Sequence, residues 1–511
     1  MPSSVRTSSA PITVNKPVLH IEVRIKDNAD DGAIVRTDLV RDEVIQWLVD
    51  SFAILNLGQE IVSFDDFTGS HARCLESIKV IECTGISTTT SGGAGLETLN
   101  TANCPAIDAS TRAAYRIDEV ELDVHAYQLR PNAPTRTLAN RASANPSGAV
   151  QGNNGFLTGS DGSDDALPEA RVVELPCQEY DGIWESLMFD TPVASNLLRA
   201  LSRMVLFSWK KLDTWTINWN RIALLYGPPG TGKTSLCRAL AQKLSIRLSK
   251  CFPSSKLVEI SAPSLGSKFF SESSKLVSGL FDNIEVLADE EPDTFIAVFI
   301  DEVESLTAKR EETLSGNDPF DAMRAVNALL TGLDRIRRHS NVLVLCTSNL
   351  ITALDSAFFD RIDIKQFIPH PSPSIIYEIY RSCLTSLNAC SLISGSTFDV
   401  IHSDPAQPDS PLKYIASPSQ ELLLPTWTDM LLWYQIFPES IPKRLAEIAR
   451  ESEGLSGRTL RRLPALALVL YTNHTTCTID QAIEALERAV REENKAKREA
   501  DGNRKTGCTV P

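Results

Sequence analysis

The sequence lacks the features of a membrane, secreted or zinc-ribbon protein. No apolar stretch of its 511 residues approaches the roughly 20 that span a bilayer. The opening stretch MPSSVRTSSAPITVNK has no apolar core of the kind that a signal peptide needs. The 11 cysteines are scattered, with no C-x-x-C pair and no cysteine–histidine cluster at zinc spacing. We therefore expect a soluble intracellular protein with reduced thiols and no structural metal site.

A surplus of basic charge is also absent. There are 50 Lys and Arg residues against 65 Asp and Glu residues, so the formal net charge is −15. Such a chain has no overall positive field to attract nucleic acid, and we expect neither direct nucleic-acid binding nor membrane attachment. The hydrophobic content of 42% is that of an ordinary globular protein, and the length suggests roughly two to four domains.

Hydrophobic periodicity divides the chain. VLHIEVRIK and VELDVHAYQL alternate as half-buried strands do, and RDEVIQWLVDSF has helical spacing. Further on, apolar runs such as RIALLY, TFIAVFI and VLVLCT alternate with helical patterns, which predicts a parallel sheet with helices on both faces. The predicted segments are a flexible N-terminus at 1–14, an α+β domain at 15–130 with a low-complexity insertion at 87–112, a flexible linker at 131–171, an α/β domain at 172–370, a helical domain at 371–495 with an insertion at 395–427, and a flexible tail at 496–511.

A glycine-rich loop, GPPGTGKT, lies between the RIALLY strand and a predicted helix. This strand–loop–helix context is that of a P-loop, in which backbone N–H groups and the helix N-terminus surround phosphate oxygens. Lys233 would reach the β- and γ-phosphates of ATP, and the Thr234 hydroxyl would bind Mg²⁺. The predicted nucleotide-binding residues here are Gly227, Pro228, Pro229, Gly230, Thr231, Gly232, Lys233, Thr234 and Ser235.

Polar residues follow two of the predicted strands. Asp301 and Glu302 end TFIAVFIDE, and Asn349 follows VLVLCTS. Carboxyl ends of parallel strands form the ligand-binding edge of such sheets. Asp301 would hold Mg²⁺, Glu302 would act as general base toward the attacking water, and Asn349 would contact the γ-phosphate. Taken singly, the acidic pair could cap a helix and the asparagine could lie in a turn.

Two arginines complete the predicted catalytic set. Arg361, in DRIDIKQF, suits an arginine finger supplied to a neighbouring subunit; the alternative is a surface ion pair with Asp360 or Asp363. Arg458 lies in the first turn of a helix predicted to begin at Ser456, where a cation gains nothing from the helix dipole, so an anionic ligand is expected. The adjacent Arg461 and Arg462 are expected on a solvated basic face.

In this order, the motifs resemble those of AAA+ ATPases. The stretches SKFFSESSKLV, IDEVESLTA and EGLSGRTLRRLP narrow the resemblance to the pachytene-checkpoint AAA+ family. The resemblance implies a homo-hexameric ring that uses ATP and Mg²⁺ to remodel HORMA-domain proteins, engaged through the N-terminal domain or an adaptor. It implies a nuclear, chromosome-associated location, with the cytoplasm as an alternative. By position it places Gly182 and Ile183 near the adenine.

The segment SKFFSESSK holds two adjacent aromatic residues in polar surroundings. In an AAA+ ring this loop would face the central channel. We expect Lys268 and Phe269 to contact a threaded polypeptide and Phe270 to turn inward.

Two rival functions fit the same ATPase motifs. One is a severing enzyme for a cytoskeletal polymer, which the acidic chain and mixed linker disfavour. The other is an ATP-binding scaffold without turnover, which the presence of Glu302 and Arg361 disfavours. A DNA-handling machine would need the basic face that is absent.

Overall fold

The structure is a computed structural model that describes residues 16–26, 36–85, 113–131, 136–137, 170–210, 216, 219–267, 273–307, 319–402 and 411–506. The chain forms two compact units: an N-terminal unit of residues 1–102 and 109–129, and a C-terminal unit of residues 103–108 and 130–511. Within the described ranges, no helix is long and apolar enough to cross a membrane.

The N-terminal unit is a small α+β domain. Its elements are β1 (Val18–Ile25), α1 (Thr37–Ser51), β2 (Ile54–Asn56), β3 (Glu60–Ile61), β4 (Leu75–Thr84), β5 (Ala114–Arg116) and β6 (Glu121–Gln128). The main sheet has the order β3-β4-β1-β6, with β1 antiparallel to β4 and parallel to β6. The apolar residues of β1 alternate with polar ones, and Val40, Val44 and Leu48 of α1 are buried in the same core. This confirms the predicted strands and helix.

The C-terminal unit contains a seven-stranded sheet with the order β13-β9-β12-β11-β10-β8-β7. Its strands are β7 (Arg136–Thr137), β8 (Arg171–Leu175), β9 (Ile222–Tyr226), β10 (Ser254–Ser261), β11 (Thr294–Asp301), β12 (Val342–Ser348) and β13 (Ile364–Phe367). The five strands from β13 to β10 are parallel, and β8 and β7 add an antiparallel edge. The strand β7 lies inside the segment predicted to be a flexible linker, so that prediction is wrong at 136–137.

Helices cover both faces of this sheet. They are α2 (Ile183–Ser186), α3 (Val193–Trp209), α4 (Lys233–Arg247), α5 (Ala262–Ser267), α6 (Ser273–Glu290), α7 (Glu304–Thr307), α8 (Pro319–Ile336) and α9 (Ser356–Asp360). Along β9, Ala223 and Leu225 pack into the core that contains α3 and α4, whereas Ile222 and Leu224 pack into the core that contains α6 and α8. A strand buried on both faces must be apolar throughout, which explains the continuous apolar runs.

The remaining part of the C-terminal unit is mainly helical. It comprises α10 (Pro373–Ala389), β14 (Ser396–His402), β15 (Leu412–Pro418), β16 (Leu422–Leu423), α11 (Trp427–Asp429), a π-helical turn (Met430–Tyr434), α12 (Ile441–Glu451), α13 (Gly457–Tyr471) and α14 (Ile479–Thr506). The predicted insertion at 395–427 thus contains a small sheet, ordered β15-β14-β16, because Phe398 and Val400 alternate toward the helical core. The helix α14 also continues to Thr506, into the predicted tail, where good helix formers such as Lys, Arg, Glu and Ala persist.

Other predictions fall outside the described residues. These are the N-terminus at 1–14, the insertion at 87–112, most of the linker at 131–171, the predicted polypeptide-contacting residues Lys268 and Phe269, and Phe270, which was predicted to turn inward.

Candidate nucleotide site

The glycine-rich loop connects β9 to α4 and packs against the backbone at the ends of two neighbouring strands. Gly227 has φ +147°, its N–H donates to the carbonyl of Ser348 at 3.2 Å, and a Cβ built on it would lie 2.2 Å from the carbonyl oxygen of Ile368. No side chain fits at that distance. Gly227 is therefore required by the close approach of the 368 backbone to the loop.

Lys233 begins α4 and lies inside the loop. Its side chain is only 5% exposed, and its ammonium donates to the carbonyls of Gly227 at 2.9 Å and Pro228 at 2.6 Å. Burial lowers the pKa of Lys233, and the carboxylates of Glu304 and Asp301 oppose that shift. The loop thus fixes a cation at the helix N-terminus, where the backbone dipoles also favour an anion.

Thr234, Asp301 and Thr347 form a cluster of oxygen atoms beside this lysine. The Thr234 hydroxyl donates to the Asp301 carboxylate at 3.0 Å, and the Thr347 hydroxyl donates to the same carboxylate. Thr347, at the end of β12, also accepts from the backbone N–H of Glu302 at 3.0 Å. Thr347 was not predicted from the sequence, although its place near the carboxyl end of a predicted strand is a usable signal.

Glu302 adopts an uncommon backbone conformation. Its φ of +55° is left-handed, which is rare for a residue other than glycine, and its side chain is exposed where β11 ends. Strain of this kind concentrates at functional sites because the surrounding structure must maintain it. The hydrogen bond from Glu302 N–H to Thr347 is one contact that does so.

Asn349 lies on the next strand end and is coupled to a residue that sequence reasoning missed. Its backbone N–H donates to Glu304 Oε1 at 2.9 Å. The other carboxylate oxygen, Glu304 Oε2, is buried and has no hydrogen-bond partner among the described residues. Among the acidic groups near Lys233, the Glu304 carboxylate acts most strongly to preserve its charge. Glu304 therefore supports both Asn349 and Lys233.

The first turn of α13 rests on the glycine-rich loop. The Ser456 hydroxyl caps this helix by accepting from Thr459 N–H at 3.2 Å, as predicted, and Arg458 N–H donates to the carbonyl of Gly230 at 3.3 Å. Gly230 has φ +74°, and a Cβ there would lie 2.7 Å from Ser456 Cβ. The helical domain thus meets the phosphate-binding loop in direct contact.

Arg461 is exposed, as predicted, but it also contacts another part of the site. Its guanidinium donates to the carbonyl of Ser186 and lines the same cavity as Arg458, because the residue lies one turn further along α13 on the same face. Arg462 points away, is 60% exposed at its side chain and approaches Glu493 at 3.5 Å. Both arginines are therefore exposed as predicted, and Arg461 also lines the cavity.

The glycine-rich loop, the strand ends and the first turn of α13 surround one cavity of about 550 Å³, a volume suited to a small-molecule ligand. Its walls include the loop from Pro229 to Ser235, the strand-end residues Asp301, Glu302 and Asn349, and Arg458 from the helical domain. Ile183 lines the cavity as predicted by position, whereas Gly182 does not: it precedes α2, with φ +73°.

Arg361 lies away from this cavity. It forms two hydrogen bonds with Asp334, at 3.0 and 2.9 Å, and donates to the carbonyl of Ala357 at 2.8 Å. The ion-pair partner is therefore Asp334 rather than Asp360 or Asp363. The Asp363 carboxylate instead accepts from the backbone N–H groups of Asn220 and Ile222.

The parallel sheet, the glycine-rich loop and the contact from a helical domain define a P-loop ATPase of the AAA+ class. A model of the ATPase family associated with various cellular activities matches residues 223–370. Models of the TRIP13-like AAA+ ATPase lid C-terminal domain and the TRIP13 N-terminal domain match residues 372–494 and 14–132.

Similar proteins give the same assignment. The chain is 46% identical over 316 residues to pachytene checkpoint protein 2 homologs of Sus scrofa and Homo sapiens, covering 62% of this chain and 68% of each relative. The solved structure of C. elegans PCH-2 matches with a TM-score of 0.61 at 28% identity, covering 94% of this chain and 99% of that one. The chain belongs to the pachytene checkpoint protein 2 family of AAA+ ATPases, and the predicted resemblance and fold class are confirmed.

Proposed function

We propose that this ATPase works as a homo-hexameric ring that remodels or partly unfolds HORMA-domain proteins in meiotic and spindle-checkpoint control. The observation that carries the proposal is the match of family-specific models to the N-terminal and helical domains on both sides of the ATPase core. The segment holding Lys268, Phe269 and Phe270 would contact polypeptide threaded through the ring. Substrate would be engaged through the N-terminal unit or an adaptor, on chromosomes in the nucleus and also in the cytoplasm.

The oxygen cluster is chemically suited to Mg²⁺. Hard divalent cations prefer oxygen ligands and bind few protein groups when a phosphate supplies the rest. Thr234 and Asp301 offer a hydroxyl and a carboxylate within 3.0 Å of each other, beside the phosphate-binding loop. These two residues would hold the ion, which supplies charge neutralisation on the phosphates when it is bound.

Three side chains would act on the reacting groups. Lys233 would bind phosphate oxygens, and Glu302, exposed in the cavity wall, would accept a proton from the attacking water. Asn349 would orient that water. Arg458, whose helix begins against Gly230, would place positive charge on the γ-phosphate from the helical domain.

Arg361 requires a second subunit in this mechanism. It does not line the cavity of its own chain and is held by Asp334. A ring would bring the Arg361 of one subunit to the site of the next, where the guanidinium stabilises charge on the transferred phosphoryl group. Assembly and turnover would then be coupled.

The test is affinity capture with Glu302→Gln in the presence of ATP and Mg²⁺. This change removes the base while conserving side-chain shape, so we expect ATP binding to persist and turnover to fall by about 10²–10⁴-fold. The trapped oligomer should retain HORMA-domain proteins, identified by mass spectrometry. Lys233→Ala, which loses the phosphate contact, is the matched control and should retain none.

Two outcomes would contradict the proposal. Wild-type turnover by Glu302→Gln would exclude this residue as the base. Recovery of tubulin or DNA without any HORMA-domain protein would instead favour a severing or DNA-handling function.

A further inference from the structure

A second cluster of ionisable groups lies in the N-terminal unit, on one face of its sheet. His20 is the third residue of β1, and Asp123 and His125 are on the adjacent strand β6. The parallel register places His20 beside Asp123, and His125 follows two residues later on the same face. Residues 105 positions apart in sequence thus become neighbours.

Three atoms of this cluster form a nearly equilateral triangle. His20 Nδ1 lies 3.1 Å from Asp123 Oδ2 and 3.3 Å from His125 Nε2, and His125 Nε2 lies 3.2 Å from Asp123 Oδ2. A metal ion held by side chains alone needs at least three His, Cys, Asp or Glu side chains whose ligand atoms lie close together. Among the described residues, these three side chains form such a group.

Hydrogen bonding cannot account for all three contacts. An ionised carboxylate only accepts, so both contacts to Asp123 require a proton on each of the facing ring nitrogens. The 3.3 Å contact between His20 and His125 would then bring two N–H donors together with no acceptor for either. With a single proton, at least one contact joins two lone pairs. A cation between the three atoms removes the conflict, because each atom would then direct a lone pair toward it.

The dimensions suit zinc. Zinc bonds of about 2.0–2.2 Å place neighbouring ligand atoms of a tetrahedron about 3.3–3.6 Å apart, close to the separations in this cluster. Two imidazoles and one carboxylate form an established zinc ligand set. His20 also has a supporting contact, since its other nitrogen, Nε2, lies 3.2 Å from the Thr84 hydroxyl on β4. When Nε2–H donates to that hydroxyl, Nδ1 carries the lone pair that a metal ion needs.

The surroundings favour a retained ion. His125 is 2% exposed, and the side chains of His20 and Asp123 are 13% and 25% exposed. Glu82, which is 2% exposed, pairs with His20 across β1 and β4 and adds a carboxylate to the surroundings, and Arg41 of α1 also interacts with Asp123. We propose that His20, Asp123 and His125 bind one Zn²⁺ ion that links β1 to β6. This proposal is independent of the ATPase function.

The test uses the full chain after treatment with a chelator, without nucleotide, and ZnCl₂ alone as the probe. Wild type should bind one equivalent of Zn²⁺ by calorimetry and elemental analysis, and Asp123→Asn and His125→Gln should lose it. At a free Zn²⁺ concentration 100 times its Kd, the folding equilibrium of the N-terminal unit should shift about 100-fold in wild type only. Co²⁺ absorption should show nitrogen and oxygen ligands without a thiolate band.

His71→Gln is the matched control. His71 Nδ1 contacts the Glu43 carboxylate at 2.9 Å in the same unit, but the described residues place no third metal-binding side chain beside this pair, so this variant should bind Zn²⁺ as wild type does. Circular dichroism of the metal-free variants establishes that each is folded; Asp123→Asn conserves side-chain shape while removing the negative charge. The proposal is overturned if wild type binds no Zn²⁺, if the ligand variants bind the same equivalent, or if Co²⁺ reports thiolates.

Discussion

The two units place their polar groups differently. In the C-terminal unit, Lys233, Glu302 and Asn349 follow the ends of parallel strands. In the N-terminal unit, His20 and His125 lie within strands, on one face of a mixed sheet. The positions of side chains at strand ends depend on the conformation of the loops that follow. The positions of side chains within strands are set by the hydrogen bonds between neighbouring strands, which lie about 4.8 Å apart.

The difference has an energetic consequence. Side chains that line the nucleotide cavity should affect turnover strongly and stability weakly, whereas a loop glycine in close backbone contact should affect both. Residues that connect the elements of the N-terminal unit should show the opposite balance. Substitutions in each unit, measured for both turnover and unfolding, test this separation.

The largest effect is expected for Arg361→Ala. If Arg361 acts on the site of a neighbouring subunit, turnover should fall by about 10³-fold, whereas loss of the exposed Asp334 pair should cost at most about 1 kcal/mol of unfolding free energy. Steady-state ATP turnover and thermal unfolding measure the two quantities. Mixing Arg361→Ala with Lys233→Ala should restore part of the activity, because mixed rings contain sites with an intact lysine and an intact finger.

Asp334→Asn is the control, since it breaks the same ion pair and leaves the guanidinium in place. It should keep turnover near the wild-type value. An equal loss in Asp334→Asn and Arg361→Ala, without rescue in mixtures, would reduce Arg361 to a structural ion pair.

The next largest effect is expected for Gly227→Ala, a loop residue whose change should also affect stability. The added Cβ would lie 2.2 Å from the Ile368 carbonyl, at a φ of +147°. Overpacking and backbone strain together should lower the unfolding free energy by about 3 kcal/mol or more and weaken nucleotide binding. Denaturant unfolding and titration with a fluorescent ATP analogue provide the measurements.

Gly279→Ala is the matched control. Gly279 lies within α6, and a Cβ there meets nothing within 4 Å, so alanine should stabilise the protein by about 0.5–1 kcal/mol. Equal unfolding free energies for the two variants would contradict the close approach at Gly227.

The smallest effect is expected for Glu43→Ala in the N-terminal unit. The Glu43 carboxylate accepts from the Ser70 hydroxyl at 2.6 Å and from His71 N–H at 3.1 Å, which connects a loop to α1. Because the site is partly solvated, its loss should cost about 1–2 kcal/mol. Hydrogen exchange over α1 should rise while basal ATP turnover stays unchanged.

Gln46→Ala is the control on the same helix, because the exposed Gln46 bonds to the neighbouring Asp50 and its loss should change stability by less than about 0.5 kcal/mol. A fall in basal turnover with Glu43→Ala would show that the two units are not energetically separate.

Sequence patterns identified most of the ATPase site because its chemistry is local. The glycine and lysine spacing from Gly227 to Thr234 by itself predicts a phosphate-binding loop. Asp301 ends a strand whose burial requires a continuous apolar run. Residues joined through tertiary contacts were missed: Thr347 beside Asp301, Glu304 beneath Asn349, and Arg461 against Ser186. None of these pairings has a fixed spacing along the chain.

The N-terminal cluster shows the same limit more strongly. Zinc-spacing rules detect ligands a few residues apart, whereas His20 meets His125 only through the pairing of β1 with β6. The strand β14 was missed for another reason. The polar, proline-containing composition of 395–427 favoured an insertion without regular structure. Phe398 and Val400 nevertheless alternate as a half-buried strand requires.

The contact between Gly230 and α13 couples the position of that helix to the phosphate-binding loop. Arg458 N–H donates to the Gly230 carbonyl, and the Ser456 side chain leaves no space for a Cβ at Gly230, so a displacement of the loop would be transmitted to the first turn of the helix. Its 15 residues extend about 22 Å to Tyr471. A rotation of about 10° at the loop would displace the far end by about 4 Å. An ångström-scale change around the phosphates would therefore become a larger movement at the outer edge of the helical domain.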